Sequence, residues 1–234
     1  MAFSNDQSRR VRSAVVVVLL IAVISIAAVV LFGGVPAAPK GDAPAGSAQR
    51  HAGVQQEGQA DGHTMADVDA SYGAAAQQLR AKYDANPADP STLLNLANGY
   101  FDWGATAMTH TQGAEDEQHV TDLFNEAIGY YDRYLAEHPG SKSAEVDRAV
   151  SIFYAGDRAK AVDTLEAFVA ADADFGPAWA NLGMFYEADG RVEDARTAYG
   201  RAIEADAQNT YNARAYAQQR LDALDGAPAG SSER

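Results

Sequence analysis

The sequence contains no cysteine, and this absence excludes several kinds of chemistry. None of its 234 residues offers a thiol that could form a disulfide, bind zinc as a thiolate or act as a nucleophile. A lipoprotein anchor is excluded as well, because that anchor is built on an acylated cysteine.

Positive charge is also scarce. The chain carries 18 Lys and Arg against 32 Asp and Glu, which gives a net charge of −14 at pH 7. Such an excess of negative charge repels nucleic-acid phosphates and anionic membrane surfaces. We therefore expect no nucleic-acid partner, whereas a basic protein partner remains compatible with the composition.

Motifs for catalysis and metal binding are missing too. The sequence has no glycine-rich phosphate loop, no GxSxG and no HExxH, the patterns that place reactive groups in common enzymes. His110 and His119 lie near acidic residues 115–117, but their spacing matches no metal motif. We therefore predict no enzyme activity, no metal and no cofactor.

An uninterrupted apolar run occupies residues 14–32. Its length of about 19 residues suffices to cross the hydrocarbon core of a membrane as a helix, and it has no polar face for a globular surface. Arg9, Arg10 and Arg12 precede it, whereas only Lys40 follows closely. The positive-inside rule then predicts a cytoplasmic N-terminus and an extracytoplasmic remainder.

The same run can also be read as part of a cleaved signal peptide. Val35, Pro36 and Ala37 form a small-residue pattern before Ala38, as a cleavage site requires. The run is longer, however, than the usual signal-peptide core of about 7–15 residues. We therefore favour an uncleaved single-pass anchor in the cell membrane, with residues 1–13 as its cytoplasmic tail.

Two segments have the composition of flexible chain. Residues 33–65 are rich in Pro, Gly, Ala, Gln and Ser and show no apolar period, so burial cannot offset the entropy of ordering them. Residues 226–234 have the same character. We predict a linker, a folded domain at residues 66–225, and a disordered tail.

Helical periodicity is clearest in residues 176–209, where two apolar faces are separated by a turn at Gly190. The first face consists of Trp179, Leu182, Gly183 and Tyr186, and the second of Ala195, Tyr199 and Ala202. The small Gly183 allows the two helices to approach closely. This order of bulky, Leu, small and aromatic, followed by Ala, aromatic and Ala, resembles the tetratricopeptide repeat, a helix hairpin of about 34 residues.

A single hairpin cannot bury its apolar face, so neighbouring hairpins are expected. Residues 142–175 carry a degenerate copy, in which Glu145, Arg148 and Phe168 replace the family's aromatic, Leu and Ala. Residues 90–141 carry a further copy.

The resemblance implies an all-α TPR helix-hairpin solenoid of about three repeats plus flanking helices, behind one N-terminal transmembrane helix. A capping helix is predicted at residues 210–225, after the repeats at residues 90–141, 142–175 and 176–209.

The first repeat is longer than the others by about 18 residues, which we assign to an insertion at residues 105–126. Met108 continues the apolar period at one end, Val120 and Phe124 continue it at the other, and acidic residues follow Gly113 in the middle. This pattern favours two lengthened helices that form a projecting hairpin. A mobile loop is the alternative.

The resemblance also indicates where a partner binds, because TPR proteins hold extended or helical peptides in a concave groove lined by their first helices. The equivalent positions, here called the groove stripe, are Leu94, Asn98, Phe101, Asp102, Val146, Val150, Phe153, Ala180, Met184 and Glu187. The stripe is mostly apolar. The sequence leaves open whether it is exposed or whether Phe101 and Phe153 are covered by the protein's own terminal helix or insertion.

The function that the resemblance implies is that of a membrane-tethered interaction module on the extracytoplasmic side. It would serve as an adaptor or chaperone-like scaffold for a protein or peptide client, as bacterial envelope TPR proteins of this layout do. The alternatives are a permanent structural subunit of a membrane assembly and a cytochrome c maturation-type factor that binds an apoprotein.

Overall fold

The structure is a computed structural model that describes residues 64–226, and within that range it contains eight helices and no strand. The helices are α1 (Met65–Ala85), α2 (Pro90–Thr109), α3 (Ala114–Glu137), α4 (Lys142–Tyr154), α5 (Arg158–Ala171), α6 (Gly176–Ala188), α7 (Val192–Ala205) and α8 (Ala213–Gly226). No helix in this range is long and apolar enough to span a membrane. The predicted cytoplasmic tail and anchor lie outside the described residues, as do nearly all of the predicted linker and C-terminal tail.

The helices pack in the order in which they follow one another along the chain. Helices α2 and α3, α4 and α5, and α6 and α7 form three hairpins, and α4 also contacts α2 and α6. Helix α1 packs against α2, while α8 packs against α6 and α7. The described part is thus the all-helical stack of hairpins with flanking helices that the sequence predicts.

Local sequence signals explain where the helices begin and end. Thr64 caps α1 in a capping box with Asp67, and Asp89 caps α2, which has Pro90 at its start. The side chains of Thr64 and Asp89 accept hydrogen bonds from free N–H groups of the first turn. Pro90 has no N–H group, so it needs no partner at this position. Gly190, between α6 and α7, has a φ of 75°, a left-handed conformation that favours glycine at the end of a helix.

The crossing of α6 and α7 depends on a residue without a side chain. A Cβ atom on Gly183 would lie 2.6 Å from Cε1 of Tyr199, well inside any normal carbon–carbon contact. Tyr199 is fully buried, and its hydroxyl donates a hydrogen bond of 2.9 Å to Oε2 of Glu187. The close approach predicted at Gly183 is therefore confirmed.

The first hairpin is lengthened in both helices, as the sequence predicts. Helices α2 and α3 contain 20 and 24 residues, whereas α6 and α7 contain 13 and 14. Of the residues that continue the apolar period, Val120 and Phe124 are buried and Met108 is partly buried, and Ala105 is buried beside them. A Cβ atom on Gly104 would lie 3.1 Å from the Phe124 ring, so this glycine lets the two helices pack tightly around the ring.

Helix α1 covers the lengthened hairpin through polar contacts as well as apolar ones. The indole Nε1 of Trp103 donates to Oδ1 of Asp69 at 2.8 Å, and the Thr106 hydroxyl donates to that of Tyr72 at 2.9 Å. Val68 of α1 belongs to the common core. The extension is thus packed on one side by the protein itself.

Candidate functional site

The groove stripe runs across the three first helices, α2, α4 and α6. Its members with less than a tenth of their surface exposed are Asn98, Phe101, Asp102, Val146, Val150, Phe153, Ala180 and Met184. Leu94 and Glu187 are partly exposed. The stripe is therefore largely buried, and peptide binding along it stays a prediction.

The two stripe phenylalanines pack against neighbouring rings. The Phe153 ring is stacked on Phe185 of α6, with centroids 4.2 Å apart and planes 1° from parallel, and the Arg158 guanidinium lies 5.1 Å from its centroid. Phe101 contacts Phe124 edge to face at 5.7 Å. Both rings are buried, Phe101 against Phe124 of the predicted insertion and Phe153 against α6 instead of the terminal helix.

An aromatic row connects all three hairpins along this side. Phe124 of α3 stacks on Tyr154 at 5.3 Å, and Tyr154 contacts Phe153 edge to face at 5.4 Å. The Tyr154 hydroxyl donates to the sulfur of Met184 at 3.5 Å, and burial raises its pKa. The row joins the hairpins, because Tyr154 packs against Phe124 of the hairpin before it and Phe153 packs against Phe185 of the hairpin after it.

Carboxyl and amide groups lie among these apolar side chains. Asn98 accepts a hydrogen bond of 2.8 Å from the Tyr131 hydroxyl, and Asp102 is only 8% exposed. Asp147, next to Val146 on α4, is 2% exposed and was not among the predicted site residues. Helix α4 also carries Lys142, Glu145 and Arg148, so the sequence alone does not distinguish Asp147 from the exposed charges of the same helix.

Glu187 has a structural role that the sequence interpretation missed. Its carboxylate is held by the Arg220 guanidinium of α8, with Nε 3.1 Å from Oε2 and a second contact from Nη2 to Oε1. Tyr199 donates to the same carboxylate. Although burial lowers the pKa of Arg220, its bonds to Glu187 raise the pKa overall. Glu187 thus joins α6, α7 and α8 and is not free to bind a client.

The two histidines near the insertion take part in different local contacts. His119 Nε2 lies 2.9 Å from Oδ1 of Asp69, which joins α3 to α1. His110 Nδ1 lies 2.8 Å from the Thr109 hydroxyl. Across residues 64–226, no group of three His, Asp or Glu side chains is placed to hold a metal ion.

Comparison with solved structures gives matches to helical proteins. The crystal structure of MamA matches with a TM-score of 0.44 and 19% identity, over 70% of this chain and 96% of that chain. A thermophilic TPR protein of Thermus thermophilus, TTC0263, matches with a TM-score of 0.43 and 20% identity, over 65% and 91% of the two chains. No protein-family profile and no curated protein matches the sequence.

Proposed function

We propose that this protein is a membrane-tethered interaction module whose helical repeats bind a protein or peptide client outside the cytoplasm. The observation that carries the proposal is the side-by-side packing of the first helices, which brings equivalent positions of three hairpins into one row. A row of repeated positions suits an extended partner, because each repeat contacts a successive part of it.

Burial of the groove stripe limits where a client makes its first contact. Glu187 is engaged by Arg220, and the other stripe residues of α4 and α6 are buried. Leu94 on α2 is the stripe residue that combines partial exposure with an apolar side chain. We place the first contact with the client there.

The tether rests on the sequence of the preceding segment. Residues 14–32 have the length and hydropathy of a membrane span. The linker of roughly 30 residues would give the repeats a reach of about 30 Å from the membrane. An adaptor benefits from such reach, because it can collect clients from a volume around its anchor.

The adaptor role is tested by partner exchange. Full-length tagged protein is purified with its partners from membranes, mixed with an isotope-labelled lysate, and analysed over time by mass spectrometry. A client of an adaptor exchanges with its labelled form within minutes to hours. A partner of fixed stoichiometry that never exchanges would instead identify a permanent subunit of an assembly.

The site is tested by a matched pair of substitutions. Leu94→Lys places a charge at the proposed contact and should reduce recovery of the exchanging client at least tenfold. Val192→Lys makes the same type of change at an exposed aliphatic residue of α7 and should leave recovery unchanged. Equal recovery with both variants would remove Leu94 from the binding site.

A further inference from the structure

The two hairpins α4–α5 and α6–α7 are related by one repeat of about 34 residues. They differ at the end where the first helix begins and the second helix ends. In α6–α7 this end is closed. A Cβ atom on Gly176, at the start of α6, would lie 2.6 Å from Cβ of Asp206 and 3.2 Å from its backbone nitrogen. The absence of a side chain at this position lets the beginning of α6 touch the end of α7.

The equivalent end of α4–α5 cannot close in this way. Lys142 occupies the position of Gly176, and Phe168 occupies that of the small Ala202. Both substitutions add bulk where the other hairpin has close contact, and α4 and α5 accordingly pack less extensively than α6 and α7. The Lys142 ammonium instead forms an ion pair with Asp172, the counterpart of Asp206.

Beside this less extensive packing lies a cleft of about 440 Å³, between the beginning of α4 and the second half of α5. Its principal lining residues are Lys142, Glu145, Leu165, Phe168, Ala171 and Asp172. None of them belongs to the groove stripe. The cleft is therefore a site separate from the proposed client groove.

The two hairpins also differ in a side chain near the start of their first helices. At the position equivalent to Glu145, helix α6 carries Trp179, whose indole Nε1 donates to the carbonyl of Ala173 at 2.9 Å. Glu145 has no ring to place there, and its carboxylate accepts a hydrogen bond of 3.1 Å from the Gly140 N–H. One hairpin thus carries an indole near the start of its first helix, where the other carries a carboxylate.

The charge of the cleft selects among aromatic ligands. Glu145 and Asp172 contribute two carboxylates against the single ammonium of Lys142, and the residues around them belong to a strongly acidic chain. Apolar surface from Phe168 and Ala171 favours a ring, while the rim favours a positive charge beside it. We propose that the cleft binds the side chain of a tryptophan located in a basic segment of a protein partner.

The proposal is tested with small probes on the full-length protein in lipid nanodiscs. Tryptamine combines an indole with an ammonium group, whereas indole-3-acetate combines the same ring with a carboxylate. Saturation-transfer NMR and calorimetry should detect tryptamine binding, with an affinity at least fivefold higher than that of indole-3-acetate. Absence of tryptamine binding, or equal affinity for both probes, would overturn the proposal.

Three variants locate the binding. Glu145→Trp supplies a ring from the chain itself and should lower tryptamine affinity at least tenfold. Ala171→Leu fills the cleft from α5 and should also lower tryptamine affinity at least tenfold. If circular dichroism shows that Glu145→Trp is unfolded, the result for Ala171→Leu tests the location of the binding site. Glu204→Trp adds an indole at an exposed site of α7 and should leave affinity unchanged. Undiminished binding by a folded cleft-filling variant would contradict the assignment.

Discussion

At the scale of single residues, the clearest determinant of the fold is the absence of a side chain at Gly183. Because a Cβ atom there would meet the Tyr199 ring at 2.6 Å, Gly183→Ala should lower the free energy of unfolding by about 1–3 kcal/mol through overpacking. Gly200→Ala is the control, since its Cβ would meet nothing within 4 Å and should stabilise α7 by up to about 1 kcal/mol. Urea denaturation measures both, and equal effects would contradict the close crossing.

The pair of Glu187 and Arg220 makes a second prediction at this scale. Their side chains are only 21% and 17% exposed, so Arg220→Met leaves a carboxylate unpaired in a mostly buried site. The free energy of unfolding should fall by about 3 kcal/mol. Arg201→Met breaks a pair whose side chains are largely exposed and should change it by less than about 0.5 kcal/mol. Similar melting temperatures for the two variants would show that the pair does not hold α8.

The hydroxyl of Tyr216 predicts how stability responds to alkali. Burial raises its pKa to about 12, with Arg220 opposing the rise and Glu187 adding to it. In the unfolded chain the pKa is about 10, so the unfolded state loses the proton first and stability falls as pH rises from about 10 to 12. Tyr216→Phe should make this fall shallower in urea denaturation. An unchanged slope would be inconsistent with a buried, protonated hydroxyl.

These residues also show what sequence reasoning can reach. Gly183 was predictable because its spacing from Tyr199 follows the local pattern of a helix hairpin. Arg220 was not, since its partner Glu187 lies 33 positions away and the pairing depends on how α8 docks. The regular spacing that locates a groove position says nothing about which distant side chain will reach it.

At the scale of elements, the lengthened hairpin makes a prediction about dynamics. Backbone amides of residues 105–107 and 120–124 should exchange slowly with solvent, because these segments are helical and contain buried side chains. Amides of residues 111–113 in the turn should exchange within seconds. Hydrogen–deuterium exchange with mass spectrometry resolves the three segments, and rapid exchange throughout would support the mobile loop instead.

A variant separates the contribution of α1 from that of the hairpin itself. Asp69→Ala removes the acceptor shared by Trp103 and His119, so exchange should accelerate in α1. Residues 120–124 should keep most of their protection, because Phe124 also packs against Phe101 and Tyr154. Loss of protection in both segments at once would mean that α1 and the hairpin open as one unit.

The helices themselves were predictable, whereas the environment of the groove stripe was not. Apolar periodicity and the Gly113 turn indicated both long helices, because these signals act within one element. Burial of Phe101 and Phe153 results from rings supplied by α3 and α6, and the sequence does not encode such contacts locally. The cleft likewise arises from the bulk of Lys142 and Phe168. Their effect is recognised only when the two hairpins are compared.

At the scale of the whole molecule, charge is distributed very unevenly. Residues 64–226 contain 27 Asp and Glu but only 12 Lys and Arg, whereas residues 1–13 contain three Arg and one Asp. Large single-sign charge keeps the repeats apart from anionic lipid surfaces and accelerates encounters with basic partners. Both consequences fit the proposed role of a membrane-tethered module, if its client is basic.

The proposed tether gives the last prediction, because it fixes which side of the membrane the repeats occupy. With Arg9, Arg10 and Arg12 held in the cytoplasm, protease added to intact spheroplasts should digest the repeats and leave roughly the first 30 residues protected. A cytoplasmic marker must survive the same treatment, which shows that the membrane is sealed. Survival of the repeats together with the marker would reverse the orientation. A mature protein that begins at Ala38 would replace the anchor with a cleaved signal peptide, and the repeats would then act without a tether.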